Sequence, residues 1–454
     1  MSLGGGTFET QNKIIPGAYI NFVAANRASL ALSDRGVATM PLRLDWGVHG
    51  EVFEVTSEDF QRNSLAIFGY EFTHPSLAGV RDLFRNIRIG YFYRVNADTS
   101  STFAVSEIGR ARHVGTRGND IAVTVESSPD EARTLIVSTL LGENVVHVQG
   151  VTENSQPADN DFVTFNSRVS QSSWYNFSGG QTPDVVRTEG YVNYLNKIES
   201  YNFNVIGYSG VDSDIMTLFA NFTRRMREDS GVKFQCVLSP GSLNPTSVAT
   251  TGGSSFDHEG IVSVVNSVEE DMYEGNIISK NLVFWTTGLC AGLAINQTGT
   301  NRVYSGEFTP ICDFTQSMFE GFVRLGHLAF YRLNSGEVRI LSDINSLVNL
   351  NQNQSEDFKY NQTIRTIDQI GNDMALLFTT RYKGIMPNDQ DGRIGLWSDI
   401  VMHADRLQNI RAIQEFSPEH VTVEQGENPR SVVVGHSVKI VNAMSFLYMT
   451  TKIN

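Results

Sequence analysis

The sequence predicts a mixed α/β (α+β) protein of several domains, and three observations lead to this fold class. The chain has 454 residues, and a chain of that length normally divides into about two to four domains. Apolar runs typical of buried strands alternate with amphipathic helical patterns in 26–95 and again in 179–342, as in βαβ units. Between them, 96–178 contains only short alternating runs, which predicts an all-β sandwich inserted into the α/β core.

Composition and charge exclude several classes of function. Hydrophobic residues make up 41% of the chain and charged residues 19%, which indicates a well-packed globular protein. The formal net charge of −14 disfavours nucleic acid as a partner. Because no run of about 18 apolar residues occurs, we expect no transmembrane helix and no direct membrane insertion.

The cysteines and the amino-terminal residues favour synthesis in a reducing cytoplasm. Cys236, Cys290 and Cys312 are odd in number and widely spaced, which argues against a disulfide framework and against a zinc site. The opening stretch, "MSLGGGTFETQNK", has neither the basic nor the apolar region of a signal peptide. We therefore expect no secretion.

Residues 1–25 are expected to form an extended N-terminal arm. The first dozen residues are rich in glycine and polar side chains, and "IIPGAYINFVAA" (14–25) follows as an apolar extended stretch. Pro16 has no backbone N–H to donate, so this stretch suits an edge strand or an added strand better than a central one.

Segment 26–95 is predicted to form an N-terminal α/β unit. Thr56 precedes an acidic first turn and is expected to cap a helix. Apolar residues recur at helical spacing in 76–88, and "IRIGYFYRV" (87–95) is typical of a buried strand.

Segment 179–342 is predicted to form a central α/β domain. We expect a helix that is capped by Asp212 or Ser213 and ends at Gly231. Continuous apolar runs after this helix are typical of buried parallel strands. A hairpin is expected over 328–341.

Segment 343–454 is predicted to form a C-terminal domain of two long helices and a sheet. Apolar residues line one stripe in each of 364–383 and 393–409, where the helices are expected. A short strand follows at 420–425. Residues 432–449 near the chain end are apolar on both faces of a strand pattern, so a strand there needs partners on its edges and cover on its faces.

One loop contains the residue types used by hydrolases. "TTGGSSFDHEG" (250–260) places Ser254, Ser255 and His258 close together in an α/β segment. Members of a catalytic triad come from separate elements, and the nucleophile elbow GxSxG is absent. A polar surface loop is therefore the favoured interpretation, and a cytoplasmic α/β hydrolase using this loop is an alternative.

No other motif predicts a cofactor or a metal ion. "PNDQDGRIGLWS" (387–398) resembles a calcium loop but has Pro387 and Ser398 at its two essential ends. Asp389 or Asp391 is instead expected to cap the following helix. The phosphate-binding pattern GxxxxGK[ST], the dinucleotide pattern GxGxxG and the zinc motif HExxH do not occur. The prediction thus contains no catalytic residue, no cofactor and no metal site.

Four long segments, in the same order along the chain, resemble the contractile tail sheath proteins of myophages. They are "GTFETQNKIIPGAYINF", "SDRGVATMPLRLDWG", "TIDQIGNDMALLFTTRYKGIMPNDQDGR" and "SVVVGHSVKIVNAMSFLYMT". The resemblance runs over nearly the whole chain. It is strongest to the sheaths of Gram-positive phages, defective prophages and phage-tail-like bacteriocins.

This resemblance implies a structural protein and not an enzyme. Sheath subunits form a homo-oligomer of stacked six-fold rings around a tail tube protein, with baseplate and tail terminator proteins at its ends. The sheath contracts to drive the tube through the target cell envelope. The resemblance also implies a central domain of subtilisin-like fold, here without catalytic residues. The location it implies is the tail sheath of a virion or a tail-like particle, made in the cytoplasm of a bacterial host.

The resemblance further implies strand exchange, in which terminal arms of neighbours add strands to the C-terminal sheet of another subunit. On that basis 14–23 and 432–449 are exchange strands. Two alternatives remain open from the residue pattern: the strands pair within their own domain, or the protein is a non-contractile virion component such as a tube or capsid protein. The predicted interface residues are Ile14, Ile15, Pro16, Gly17, Tyr19, Ile20, Phe22, Val432, Val434, Val438, Ile440, Val441, Met444, Leu447 and Met449.

Overall fold

The structure is a computed structural model that describes residues 34–131, 133–170, 173–240, 245–251, 256–269 and 281–453. Its first segment contains three strands and two helices. As predicted, Thr56 caps the first helix, because its Oγ1 accepts the Asp59 backbone N–H at 3.1 Å. The elements are β1 (Val37–Leu42), β2 (Val52–Thr56), α1 (Ser57–Phe68), α2 (Ala78–Phe84) and β3 (Ile89–Arg94).

The next segment contains seven strands and, among its described residues, no α-helix, in agreement with the all-β prediction. The strands form an antiparallel three-stranded and an antiparallel four-stranded sheet, ordered β4-β5-β9 and β10-β6-β7-β8. Both sheets contribute to one apolar core, so the module is a small sandwich. Its strands are β4 (Phe103–Ser106), β5 (Gly109–Val114), β6 (Ile121–Ser127), β7 (Thr134–Leu141), β8 (Asn144–Thr152), β9 (Val163–Phe165) and β10 (Ser173–Asn176).

After the sandwich, helices and strands alternate again. Asp212 caps α4, since its Oδ1 accepts the Asp214 and Ile215 backbone N–H groups, and Gly231 follows the helix at a φ of 74°. The elements are α3 (Thr188–Ile198), β11 (Val205–Gly207), α4 (Ser213–Glu228), β12 (Gln235–Leu238), α5 (Pro245–Thr251), β13 (Ile261–Val264), α6 (Leu282–Gly292), α7 (Gln316–Arg324), β14 (His327–Leu328), and the predicted hairpin β15 (Phe330–Arg332) with β16 (Val338–Ile340).

One seven-stranded sheet joins the α/β segments on both sides of the sandwich. Its order is β14-β13-β12-β11-β1-β3-β2, and all neighbours are parallel except β2 and β3. Ala38 of β1 pairs with Val205 on one side and with Gly90 on the other. The sequence predicts an N-terminal α/β unit in 26–95 and a central α/β domain in 179–342, and the structure places the strands of both in one sheet. Contacts between distant strands leave no local pattern in the sequence.

Helices cover both faces of this sheet. Alternate residues of the central strands contribute to two separate cores, as the strand pleat requires; Val205 lies in one core and Ile206 in the other. The first core contains residues of α1, α2 and α6, and the second contains residues of α3 and α4. Gly288 lets α6 approach α2 closely, because a Cβ at that position would overlap the Leu83 carbonyl oxygen. Gly288 thus allows two helices to pack closely.

The C-terminal segment contains the two predicted long helices followed by short hairpins. Asp389 caps the second helix by accepting the Gly392 backbone N–H at 2.8 Å, as predicted. The strands pair antiparallel, β17 with β20 and β18 with β19. The elements are α8 (Asn361–Leu377), a short π-helix (Phe378–Tyr382), α9 (Gln390–Asn409), β17 (Ile413–Gln414), β18 (Val421–Gln425), β19 (Val432–His436) and β20 (Lys439–Ile440).

Two side chains of the α/β sheet region reach into the sandwich. Trp46 is fully buried in the sandwich core, edge-on to His113 at 5.0 Å between ring centroids. Arg94 at the end of β3 donates to the Val114 carbonyl oxygen at 2.7 Å. The entry and exit of the sandwich lie together, since the Thr102 hydroxyl donates to the Gly179 carbonyl oxygen. The sandwich is therefore an insertion with adjacent ends but a shared core residue.

We predict that the sandwich can be removed only if Trp46 is changed as well. Replacing 96–178 by a short glycine-serine linker leaves Trp46 exposed, which costs about 2–3 kcal/mol of apolar burial and promotes aggregation. The same deletion with Trp46→Asn is expected to give a soluble, folded α/β remainder by circular dichroism and size exclusion. If the double change still yields an unfolded chain, the sandwich is not a separable unit.

Candidate assembly surface

The predicted interface residues fall into three groups in the structure. The seven N-terminal positions from Ile14 to Phe22 lie outside the described residues. Val432, Val434, Val438, Ile440 and Val441 contact their own chain. Met444, Leu447 and Met449 extend into solvent. The sequence predicts one exchange strand over 432–449, whereas the structure has two short strands there, β19 and β20, and exposed chain beyond residue 443.

The first strand of the 432–449 segment, β19, forms a hairpin with β18. Val434 is opposite Val423, and Val432 is opposite Gln425. Val432 packs on the core between α8 and α9, whereas Val433 and Val434 stay 59% and 42% exposed. Among the described residues β19 pairs only with β18, so its other edge still offers backbone donors and acceptors.

The second strand of this segment, β20, pairs with β17. Ile440 is opposite the buried Ile413, and the Val441 backbone N–H donates to the Ala412 carbonyl oxygen at 3.0 Å. Val438 packs against the neighbouring core, which contains Leu407. These residues thus pair within their own chain, which is the alternative that the residue pattern left open for this part.

Helix α8 holds the point where the chain leaves the body, which we call the arm root (Val441–Ala443). The Gln362 side-chain amide donates to the Val441 carbonyl oxygen at 3.0 Å and accepts the Ala443 backbone N–H at 3.2 Å. The Thr363 hydroxyl donates to the Asn442 side-chain oxygen at 3.1 Å. One buried glutamine therefore replaces a strand partner, and nothing in the sequence pattern marks it for that role.

Beyond the arm root, residues 444–453 form an exposed apolar segment, which we call the C-terminal arm. Met444 is fully exposed, and Leu447 and Met449 are 86% and 77% exposed. Phe446, Tyr448 and Ile453 are exposed to a similar degree. Burying a large apolar side chain is worth about 1.5–3 kcal/mol. Isolated proteins rarely leave so many adjacent apolar side chains in water, so the arm has the properties of an interaction segment.

The 250–260 loop has a structural role in the residues that the structure describes. The Asp257 carboxylate accepts the backbone N–H groups of Val348 and Asn349 at 2.7 and 2.9 Å. Burial raises the pKa of this carboxyl, but the hydrogen bonds from Asn349 and Val348 outweigh that effect and hold it below its usual range. Asp257 therefore holds the backbone at 348–349, in the segment that leads to α8, against the 250–260 loop. Ser254 and Ser255 lie outside the described residues.

His258 in the same loop is poorly suited to act as a general base. Its Nδ1 accepts the Gly260 backbone N–H at 2.9 Å, and its Nε2 lies 3.2 Å from a Glu228 carboxylate oxygen. Burial lowers the pKa of the imidazole to about 4. Both ring nitrogens are thus engaged in fixing the loop.

Among the described residues, no three His, Cys, Asp or Glu side chains are arranged to hold a metal ion. No helix found in the described ranges is both long enough and apolar enough to span a bilayer. The three cysteines are buried thiols. Burial raises the pKa of Cys236 to about 12, so this thiol stays protonated and unreactive in the folded chain.

A layered α/β body with an inserted sandwich and an uncovered apolar arm defines a structural protein built for assembly. Family models agree with this class. The phage tail sheath protein central domain matches 184–346, the phage tail sheath C-terminal domain matches 353–454, and the N-terminal region of domain III of tail sheath protein Gp18 matches 35–88. The chain belongs to the phage tail sheath family, and it is a non-enzymatic subunit of a contractile tail sheath.

Individual relatives cover the chain almost completely. The phage-like element PBSX protein XkdK of Bacillus subtilis is 25% identical over 485 residues, which span 100% of both chains. A sheath tail protein of Desulfitobacterium hafniense is similar in structure, with a TM-score of 0.78, 26% identity, and coverage of 94% of this chain and 98% of that one. The contracted helical sheath of the anti-feeding prophage shares the fold at 13% identity, with a TM-score of 0.56 and coverage of 97% and 99%.

We predict that Asp257→Ala destabilises the folded chain, and does so more at neutral than at acidic pH. The substitution leaves two backbone N–H groups without their acceptor, so the free energy of unfolding should fall by about 1–3 kcal/mol. Because the folded-state pKa of Asp257 is lowered, its contribution is complete above the unfolded pKa of about 4 and is lost as the pH falls through the folded-state value. Denaturant unfolding at pH 7 and pH 3 measures both effects. An equal loss at the two pH values would contradict this role of the carboxylate.

Proposed function

We propose that this chain polymerises as stacked six-fold rings around a tail tube and contracts to drive the tube through the envelope of a target cell. Membership of the sheath family supports the proposal. The observation that carries it is the C-terminal arm, in which Leu447 and its apolar neighbours are exposed although they suit burial.

The proposed contact is strand exchange. The C-terminal arm of one subunit adds to the hairpin of β18 and β19 in a neighbour, where β19 has a free edge among the described residues. The N-terminal arm, residues 14–23, is proposed to add in the same way. Main-chain hydrogen bonds then hold the neighbours, and apolar side chains on alternate sides of each arm fill pockets.

Strand exchange also accounts for contraction without a nucleotide. Each subunit turns as a nearly rigid body while the arms keep neighbours linked, and new interface area formed in the contracted state supplies the free energy. The absence of a phosphate-binding motif from the sequence agrees with this source of energy.

The proposed partners are a tail tube protein inside the sheath and baseplate and tail terminator proteins at its ends. The particle is a virion tail or a tail-like particle made in the cytoplasm of a bacterial host. The contracted helical sheath of the anti-feeding prophage, which shares this fold, supports the arrangement. A subtilisin-like architecture for 179–342 and the domain boundaries at 95, 178 and 342 belong to the same proposal.

We predict that amide exchange at the C-terminal arm depends on assembly. In the free subunit residues 444–453 have no backbone partner among the described residues, so they should exchange almost as fast as an unstructured peptide. In assembled sleeves the same amides should become protected, while those of β1 stay slow in both states. Protection of the arm in a verified monomer would show that it pairs within its own chain.

A charge on the arm should block assembly without affecting folding. Leu447→Asp places a carboxylate where the free subunit is open to water, so the melting temperature of the monomer should change by less than about 2 °C. The same charge is costly once an interface buries it, so electron micrographs should show no sleeves. If the unchanged protein forms hollow contracted sleeves, it is a sheath protein, because a non-contractile virion protein does not form them.

Ile440→Asp is the matched control, because Ile440 is opposite the buried Ile413 within the chain. This change should lower the melting temperature of the monomer by several degrees. If Leu447→Asp lowers it equally, the arm belongs to the subunit's own core and strand exchange is wrong.

A further inference from the structure

The buried face of α8 is polar, unlike that of the other long helices. Eight of its ten buried residues are polar or charged. For comparison, α4 buries mainly apolar side chains such as Ile215, Phe219 and Phe222. The apolar stripe predicted for α8 lies mostly at its partly buried side, where Ile370 and Met374 pack against the C-terminal cores. Helices normally turn their apolar face inward, so the polar face of α8 needs a separate explanation.

Two buried ion pairs and one buried carboxylate–imidazole contact extend from α8 to three different parts of the chain. The Asp368 carboxylate accepts both terminal N–H groups of Arg227 on α4, at 2.7 and 2.8 Å. Arg365 donates to Asp343, in the segment before the helix, at 2.6 Å. Asp373 lies 2.9 Å from the ring of His403 on α9. All six side chains are at most 6% exposed.

Further polar contacts fix the same helix to the α/β body. The Asn372 side-chain amide donates to the Lys233 carbonyl oxygen at 2.8 Å and accepts the Lys233 backbone N–H at 3.1 Å. Arg365 also donates to the Gln297 carbonyl oxygen at 2.9 Å. Burial raises the pKa of Asp343, but the charge and hydrogen bond of Arg365, together with hydrogen bonds from Gly299 and Asn361, outweigh it and hold that pKa below its usual range.

Buried ion pairs of this kind contribute little net stability, because desolvation offsets most of their attraction. They are, however, demanding in direction, since a bidentate arginine–carboxylate pair tolerates only a narrow range of orientations. A shared apolar surface would stabilise the contact in several orientations. The polar face therefore favours one orientation of α8 on the α/β body over others of similar packing.

We propose that α8 is an orientation lock, in which the Arg227–Asp368 pair fixes the angle between the α/β sheet and the C-terminal hairpins. The N-terminal turn of α8 holds the arm root through Gln362, and its middle holds α4 through Asp368. The direction in which the C-terminal arm leaves the subunit is thereby set relative to the sheet. This inference rests on the proposed function, because a fixed direction matters only if the arm must reach a neighbour.

The test separates orientation from stability with matched variants of the full chain. Asp368→Leu alone leaves Arg227 buried without its main partner and should lower the melting temperature by roughly 10 °C. Combining it with Arg227→Met removes both charges and should restore most of that loss. The control is the exposed pair of Arg225, on the same helix α4, and Glu199, at the end of α3, and its apolar replacement should change little.

Orientation is measured as the distance between spin labels on introduced cysteines at Thr217 of α4 and Asp405 of α9, which are both exposed. The natural cysteines are buried and should not label. The unchanged chain and the control should give one narrow distance distribution and form sleeves. The doubly substituted Arg227→Met, Asp368→Leu chain should give a broadened distribution and at least tenfold fewer sleeves, although most of the melting temperature is restored.

A narrow distribution in that double variant would overturn the proposal, whether or not sleeves form, because apolar packing would then set the orientation by itself. A broadened distribution with normal sleeve formation would also overturn it, since the orientation would have no effect on assembly. The label distances are measured on monomers. They therefore test the lock even if the unchanged protein forms no sleeves, a result that would contradict the proposed function instead.

Discussion

The position of β1 inside the sheet, between β11 and β3, determines how the two α/β segments of the chain are joined. It pairs in parallel with β3 on one side and with β11 on the other, although about a hundred residues separate those two strands along the chain. A parallel neighbour requires a crossover connection, and the sandwich lies within the connection between β3 and β11. The chain can therefore carry a large insertion without disturbing the sheet. Trp46 and Arg94 then attach the insertion to the body.

A second constraint acts at the amino-terminal edge of the parallel strands, where α8 joins the body to the C-terminal hairpins. Apolar burial holds the helices to the two faces of the sheet, whereas directed polar contacts hold α8. The two kinds of contact differ in what they specify: apolar area supplies stability with little preference for angle, and paired charges supply the angle with little net stability. The subunit thus separates the strength of its core from the direction of its arm.

Local patterns in the sequence predict the elements well and their long-range relations poorly. The caps at Thr56, Asp212 and Asp389, the two C-terminal helices and the all-β segment follow from residue types at fixed spacings. The joining of 26–95 with 179–342 in one sheet does not, because strand order depends on contacts between distant residues. The division of 432–449 at the arm root depends on Gln362, and a polar residue inside a helix gives no sign of the backbone it will hold.

The exposed arm is compatible with a stable free subunit because it is short and confined to the chain end. An arm and its acceptor are different surfaces, so the proposed exchange between identical subunits is heterologous, and contacts of that kind build rings or helical filaments instead of an isologous dimer. The net charge of −14 adds mutual repulsion between free subunits, which opposes unguided association. Growth is then favoured where a neighbour already presents an oriented hairpin edge. Arm direction, set inside the subunit by α8, is in this way the property that connects the fold of one chain to the geometry of a polymer.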